Sequence, residues 1–276
     1  MALRGRGQAR RVADSTAVKA AARAGFAARG LIYVLVGVIA LQIAFGEGGG
    51  GKQADRGGAL SELAQKPFGS VVLWAVGLAL AGMALWRLSE AAFGQAGPDG
   101  GKPSKRAMAA ARFVFYVFVS YSVLSYAAGD KGSGSGSTDK RTEDVTAMVL
   151  KWPGGQWIVG LAGAAVVGAG LWIAARAVKK KFRKHLRTEA MSQKAQRFTD
   201  FFGVAGGSAR GALFAGAGVF AIVAAVHHQP GKAKGMDDTL RSFADLPAGP
   251  WLLAVIALGL AAFGVFSWCN ARWRKV

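Results

Sequence analysis

Six long apolar stretches limit this chain to a narrow set of folds. Each has about 20 residues or more, the length that a helix needs to cross the hydrocarbon core of a bilayer. None contains an Asp or Glu residue, and none shows the polar face of a soluble amphipathic helix. We therefore predict an all-α fold, a polytopic membrane bundle of six transmembrane helices. The predicted spans are 24–45, 68–88, 107–128, 155–175, 204–226 and 249–270.

The basic residues are divided unevenly between the two ends of these spans. Of the 35 Lys and Arg residues, 25 fall on the side of the two termini and of the second and fourth loops, and 10 fall on the other side. The 15 acidic residues divide 5 to 10, so the whole formal charge of +20 lies on the side of the termini. Under the positive-inside rule that side is cytoplasmic. The prediction is a multi-pass protein of the cell membrane with both termini in the cytoplasm.

Two short patterns recur three times along the chain. The second, fourth and sixth spans share Gly-x4-Gly-x3-Trp, and the first, third and fifth share Arg-x3-aromatic-x3-small. The two patterns alternate, which predicts a repeat whose unit is a hairpin of two helices. The first pattern is found at Gly77/Gly82/Trp86, Gly163/Gly168/Trp172 and Gly259/Gly264/Trp268. The second is found at Arg29/Tyr33/Gly37, Arg112/Tyr116/Ser120 and Arg210/Phe214/Gly218.

Each unit also carries shared features between its two spans. A proline opens the even span, and we predict it in the first helical turn. Apolar residues four and three positions before each proline predict a short amphipathic helix that lies on the outer membrane surface. The prolines are Pro67, Pro153 and Pro247. We divide the chain into a basic cytoplasmic segment, 1–23, and three hairpin repeats, 24–95, 107–180 and 198–276.

This layout resembles the bacterial membrane family built on domain of unknown function 1206, with three tandem two-helix units and an arginine early in each odd helix. The matching residues are Arg29-Gly30, Arg210-Gly211 and the Gly/Trp pattern, and the resemblance covers roughly residues 20–276. The middle unit departs from it, with Phe113 where the other units have glycine. The resemblance implies a membrane fold and implies no particular activity.

The arginines of the odd spans are the candidate functional residues. Each lies about five residues inside its span, or roughly 7 Å at 1.5 Å per residue, and a charge at that depth is costly. Two explanations stay open. The side chains either snorkel to lipid phosphates or cap a helix, or they form a site for an anion or another substrate. The three residues are Arg29, Arg112 and Arg210.

The tryptophans of the even spans are predicted to pack and to anchor the helices, with a ligand site as the alternative. Each leans back over the glycine four residues earlier, where helices can approach closely. Each also lies at the depth of its unit's arginine, which predicts a cation–π pair, or an arginine that reaches the last carbonyls of the even helix. The predicted pairs are Arg29–Trp86, Arg112–Trp172 and Arg210–Trp268. If the hairpins superpose, Gly82, Gly168 and Gly264 share one environment.

No other pattern predicts catalysis, a metal or a cofactor. GEGGGGK at 46–52 begins like a P-loop, but Gln53 replaces the Ser or Thr that binds magnesium, so we predict a flexible linker. His227 and His228 have no clustered Cys or acid to complete a metal site, and Cys269 is predicted to be a packed membrane residue. The basic run 176–187 adjoins a span, so we predict that its partner is anionic lipid headgroups and not nucleic acid.

The function predicted from these features is a membrane scaffold or interaction protein with an unidentified protein partner. The alternative is a transporter or channel for a small solute, an anion in view of the arginines. Three parallel units without intramembrane acids or broken helices are unlike the inverted repeats of many transporters. We expect no enzyme activity because no catalytic pair is visible.

Overall fold

The computed structural model describes residues 16–46, 53–94, 101–130, 138–244 and 248–275. Six of its helices are long and apolar enough to cross a membrane, which confirms the all-α fold and the multi-pass membrane class. Most of the predicted segment 1–23, the glycine-rich stretch 47–52 and Pro247 lie outside the described residues. The α-helices are α1 (Thr16–Ala44), α2 (Arg56–Ala64), α3 (Gly69–Phe93), α4 (Pro103–Ala127), α5 (Thr138–Leu150), α6 (Gly155–Val178), α7 (Gln193–His227), α8 (Met236–Ala244) and α9 (Gly249–Trp273).

The six long helices alternate in direction, so the bundle has two distinct ends. α1 begins and α9 ends at what we call the terminal end. The short helices α2, α5 and α8 each precede an even long helix at the other end, which we call the short-helix end. The short helices confirm the prediction of a helix before each even span.

The long helices pack mainly between units. Each odd helix lies against the even helix of the preceding unit, α4 on α3 and α7 on α6, and α1 on α9 completes the pattern. Within units, α1 also packs on α3 and α7 on α9, but α4 and α6, both fully described, are not packed against each other. The bundle is therefore a ring of helices with one gap, between the two long helices of the middle unit.

Small residues bring the helix backbones together at these interfaces. A Cβ atom added to Gly170 on α6 would lie 2.6 Å from the carbonyl oxygen of Gly211 on α7, and one on Gly218 would lie 2.7 Å from that of Gly163. The contact between α1 and α9 is built in the same way. In a bilayer such close approach replaces the hydrophobic effect as the source of helix association.

Each even helix begins with the same backbone turn. The residue before the helix has a positive φ angle, 61° at Phe68, 75° at Gly154 and 59° at Ala248. The first helical residue is then glycine, and at Gly69 an added Cβ would lie 2.1 Å from the carbonyl oxygen of Leu63. Pro67 and Pro153 thus precede the helices, so their predicted place in the first turn is wrong.

The short helices of the outer units and of the middle unit pack differently. Leu60 of α2 and Leu240 of α8 are fully buried in the bundle, so their apolar sides face protein and not the membrane surface, contrary to prediction. Val145 and Met148 of α5 are exposed. The two main hydrophobic clusters both include α1, and α6 contributes to neither. The middle unit is therefore held through its interfaces with the neighbouring units, α4 on α3 and α6 on α7, and α6 lies outside both clusters.

Candidate functional site

A cavity of about 450 Å³ lies inside the ring of helices. Residues of α1, α3, α4, α6 and α7 line it, so every unit contributes. The aromatic position of the odd-helix pattern faces it three times, with Tyr33, Tyr116 and Phe214. The recurring pattern thus marks the helix faces that surround the cavity.

The structure brings two of the three candidate arginines to this cavity. Arg29 and Arg210 line it, one helical turn nearer the terminal end than the aromatic residues. Arg112 does not line it and its side chain is exposed, although it is near enough to Arg87 and Glu90 to interact with them electrostatically. The three arginines therefore do not have equivalent places.

Arg29 is held by neutral groups of α1, α4 and α9. Its Nε donates a hydrogen bond to Ser267 Oγ at 3.2 Å, and its guanidinium is near enough to the Tyr116 hydroxyl to interact with it electrostatically. The guanidinium carbon lies 4.9 Å from the ring centroid of Phe26 and 5.2 Å from that of Phe263. Aromatic faces attract a cation electrostatically, so these contacts take part of the role that a carboxylate has in an ion pair.

Arg210 has aromatic neighbours but fewer hydrogen bonds. Its guanidinium carbon lies 5.0 Å from the ring centroid of Phe263, 5.3 Å from that of Phe214 and 5.9 Å from that of Tyr33. Its Nε is buried without a hydrogen-bond partner. Phe263 therefore serves both cavity arginines, and no Asp or Glu is among the described residues that line the cavity.

The predicted pairing of each arginine with its unit's tryptophan is wrong. Trp86 is 5% exposed and lies under the guanidinium groups of Arg87, at 4.1 Å, and Arg274, at 5.4 Å. Trp172 is exposed and has Lys181 5.8 Å from its ring, and Trp268 donates from its indole nitrogen to the carbonyl of Ala27 at 3.0 Å. The predicted pairs do not form because each odd helix packs mainly against an even helix of another unit.

The alternative contact, of the arginine with the last carbonyls of the even helix, is also not found for the three candidate arginines. Arg29 turns toward α9, the even helix of the third unit, because α1 packs against that helix more extensively than against α3. A different arginine of the middle unit makes the carbonyl contact. Arg106 donates to the carbonyl oxygens of Ala91 and Ala92 at the end of α3.

The second glycines of the Gly/Trp pattern also differ in environment, contrary to prediction. A Cβ on Gly82 would meet Ala21 of α1 at 2.7 Å, and one on Gly264 would meet the carbonyl oxygen of Gly30 at 2.7 Å. Gly168 has nothing within 4 Å. The difference arises because α3 packs on α1, α9 closes the ring and α6 faces the gap.

An acid near the terminal end was missed by the sequence prediction. Glu90 is buried and forms an ion pair with Arg87, but the predicted second span ends at 88 while α3 continues to Phe93. Arg274, beyond the end of α9, is also close to this pair. Burial, and then the charge of Arg87, lower the pKa of Arg274 to about 9, so it stays protonated at neutral pH. One buried carboxylate thus faces several guanidinium groups.

The remaining sequence candidates lie away from the cavity. His227 and His228 are exposed at the end of α7, and Cys269 is buried as a free thiol. Within the described ranges no group of three His, Cys, Asp or Glu residues could hold a metal ion. In the basic run 176–187, Arg183 and Lys180 form ion pairs with Asp200 of α7.

Comparison with known proteins agrees with the three-unit organisation. The model of the family described as Domain of Unknown Function (DUF1206) matches three segments of the chain, 24–94, 107–180 and 205–274. The chain is 30% identical over 252 residues to the "Uncharacterized protein YxxB" of Bacillus subtilis (strain 168), covering 91% of this chain and 89% of that protein. No solved structure matches it. The predicted three tandem units are confirmed.

Proposed function

The chain belongs to the family of Domain of Unknown Function (DUF1206), and we propose that it is a non-enzymatic ligand-binding protein of the cell membrane. Its ligand is an anion held in the central cavity by Arg29 and Arg210. One observation carries the proposal: the cavity is lined by both of these arginines, and the described lining includes no acidic residue.

The cavity arginines have a charge that the protein around them does not neutralise. Both side chains are half-buried, and a charge withdrawn from water is costly unless it is paired and hydrogen-bonded. The rings of Phe26, Phe214 and Phe263 offset part of that cost, but Nε of Arg210 is buried without a partner. A guanidinium group presents a planar fork of donors that fits carboxylate and phosphate oxygens. An anion in the cavity would supply the missing counter-charge and acceptors.

The orientation that we propose places the terminal end in the cytoplasm. The excess of Lys and Arg at this end supports it through the positive-inside rule. Exposed residues of the run 176–187, such as Arg176, Lys179 and Lys184, would then contact anionic headgroups of the inner leaflet.

Reporter fusions after residues 100 and 190 are expected to give cytoplasmic signals, and those near 135 and 235 external ones. An external signal at 190 would contradict the orientation.

We propose that the cavity binds its ligand without catalysing a reaction. Besides tyrosines and arginines, the described cavity lining has Thr142 and Lys234, but no His, Cys, Asp or Glu beside them. The interaction-protein hypothesis stays a prediction, since the exposed apolar side chains of α6, such as Trp157 and Leu161, fit lipid as well as a partner helix. Nucleic acid is not proposed as a partner.

The test is native mass spectrometry of the full chain, purified from its membrane in a neutral detergent. We expect a retained anionic ligand in the wild type and its loss in the double variant Arg29→Gln/Arg210→Gln. The control is Arg197→Gln, an exposed arginine near the start of α7 that is outside both the cavity and the basic run 176–187. Equal retention in the double variant, or no anionic ligand in the wild type, would overturn the proposal.

A further inference from the structure

One side of the central cavity is not closed by helix packing. Phe115 and Val119 of α4 and Val166 of α6 line the cavity on both sides of the gap. Phe115 is 56% exposed, so its ring borders both the cavity and the outer surface. Val119 and Val166 lie near the middle of their membrane-spanning helices. At that depth the surroundings are acyl chains, so the cavity opens toward the hydrocarbon of the bilayer.

Charged residues line the two ends of the cavity, and apolar side chains line the wall between them. Arg29 and Arg210 lie toward the terminal end, and the rings of Tyr33, Tyr116 and Phe214 follow one turn later. Aliphatic side chains line the wall beside these rings and toward the gap. They are Ile32, Val36, Leu80, Val119, Val166 and Leu213.

The basic residues at the short-helix end of the cavity already have partners. Lys234 donates to Ser242 Oγ, and its Nζ lies 4.7 Å from the ring centroid of Phe220. Arg56 also has an interaction within the protein. Among the described lining residues, the buried donor without a partner is Nε of Arg210, at the terminal end. The place for an anionic group is therefore at that end.

We propose that the ligand is an anionic amphiphile taken up from the bilayer. Its carboxylate or phosphate lies between Arg29 and Arg210, and its acyl chain lies along the aliphatic wall and reaches the gap between α4 and α6. The inference rests on the anion-binding function proposed above and names the class of its ligand. The three units then have different tasks, since the first and third hold the headgroup and the middle one forms the entrance.

An amphiphile matches the cavity better than a free anion. A volume of about 450 Å³ is in the range of pockets that enclose a drug-sized organic ligand. Inorganic phosphate would fill only the end near the arginines and leave the aliphatic wall uncovered. An acyl chain buries that wall and needs no aqueous path, because the gap connects the cavity to the membrane interior.

The test uses palmitate with a photoreactive diazirine in its chain, added to the full protein in phosphatidylcholine vesicles. Leu80 and Leu213 line the cavity and are almost fully buried, so bulk lipid in contact with the outer surface cannot label them. We expect labelled peptides at these two residues. Unlabelled palmitate should compete, whereas methyl palmitate and inorganic phosphate should not.

Variants separate the headgroup site from the entrance. Arg210→Gln should weaken labelling about tenfold, the effect of losing one charge-assisted contact, while Arg197→Gln should leave it unchanged. Val166→Trp should obstruct the gap and reduce labelling, while Leu171→Trp, an exposed position on the same helix, should not. Thermal unfolding of each variant in detergent shows which proteins are folded. If Arg210→Gln is unfolded, Arg210→Lys, which retains the positive charge, replaces it in the labelling experiment.

The possible failures are distinguishable. If phosphate displaces the ligand retained in native mass spectrometry but palmitate labels neither Leu80 nor Leu213, the anion-binding function stands and the amphiphile is wrong. If methyl palmitate competes as well as palmitate and Arg210→Gln has no effect, the arginines do not bind a headgroup and both proposals fail. Equal labelling of Val166→Trp and wild type would overturn entry through the gap.

Discussion

At one side of the bundle α1 and α9 lie in backbone contact, and at the opposite side α4 and α6 leave a gap. A Cβ on Gly30 would lie 2.9 Å from the carbonyl oxygen of Gly264, whereas one on Gly168, on the open face of α6, meets nothing within 4 Å. Both regions are built from copies of the same two-helix repeat. The comparison shows that the repeat specifies how a helix meets the preceding unit, and not how the two helices of one hairpin meet.

The largest expected difference is between two glycines of α6. Gly170→Leu should destabilise the protein by about 3 kcal/mol or more, because its side chain would enter the backbone of α7 at Gly211. Gly168→Leu, two residues away, should change stability by less than about 0.5 kcal/mol. Thermal unfolding of both variants in the same detergent measures this. Similar losses would show that the face of α6 with Gly168 is covered.

The second prediction compares Arg29, at the contact between α1 and α9, with Arg112 of the middle unit. Arg29→Lys should lower stability by about 1–2 kcal/mol, since lysine lacks the planar group that contacts Phe26, Phe263 and Ser267. Arg112→Lys should have almost no effect, because the Arg112 side chain is exposed. The measurement is the unfolding midpoint in detergent. Equal effects would mean that the arginines are equivalent after all.

A third pair of variants should change stability in opposite directions. Ala248→Gly, before α9, should stabilise by about 1 kcal/mol, since alanine at a φ of 59° is strained and glycine is not. Gly154→Ala, at the equivalent turn before α6, should destabilise by a similar amount. Denaturant titration of both variants gives the sign. Two changes of the same sign would contradict the shared turn.

The smallest effect concerns His185, in the segment that connects α6 of the middle unit to α7 of the third unit. Burial, and then the charges of Arg274 and Arg176, lower the pKa of His185 to about 4. The unfolded chain, with a histidine pKa near 6.5, binds the proton first as pH falls. Stability should therefore be complete above the unfolded pKa and decline by about 0.5 kcal/mol between pH 7 and pH 6. His185→Asn should remove this part of the pH dependence, and an unchanged profile would exclude His185 as its source.

Much of the fold was predictable because each feature depends on local sequence. Long apolar stretches predict the six helices, and the apolar residues before each proline predict the short ones. The turn before each even helix could also have been found, since Pro-x-Gly occurs at Pro67, Pro153 and Pro247. The cavity residues were partly predictable, because the arginine and aromatic pattern marks one face of each odd helix.

The partners of those residues could not be read from the pattern. Spacing within a hairpin predicted Arg29 beside Trp86, but α1 has its largest interface with a helix more than 200 residues away. The positions that meet also differ from one helix interface to the next. Gly218 lies against Gly163, the first glycine of its pattern, whereas Gly37 lies against Ala257 and Ala261, and Gly259 instead faces Ala209 of α7. Such differences depend on which helices meet in space, which one sequence does not determine.

The contact between α1 and α9 has a consequence for synthesis at the ribosome. α1 enters the membrane first among the described helices, yet α9, the helix that covers Gly30 and Gly37, enters last. Until then the groove on α1 is exposed to lipid, and the ring stays open at two places. A chain interrupted before α9 would present this uncovered groove, a feature by which the cell's quality-control proteases could recognise incomplete copies.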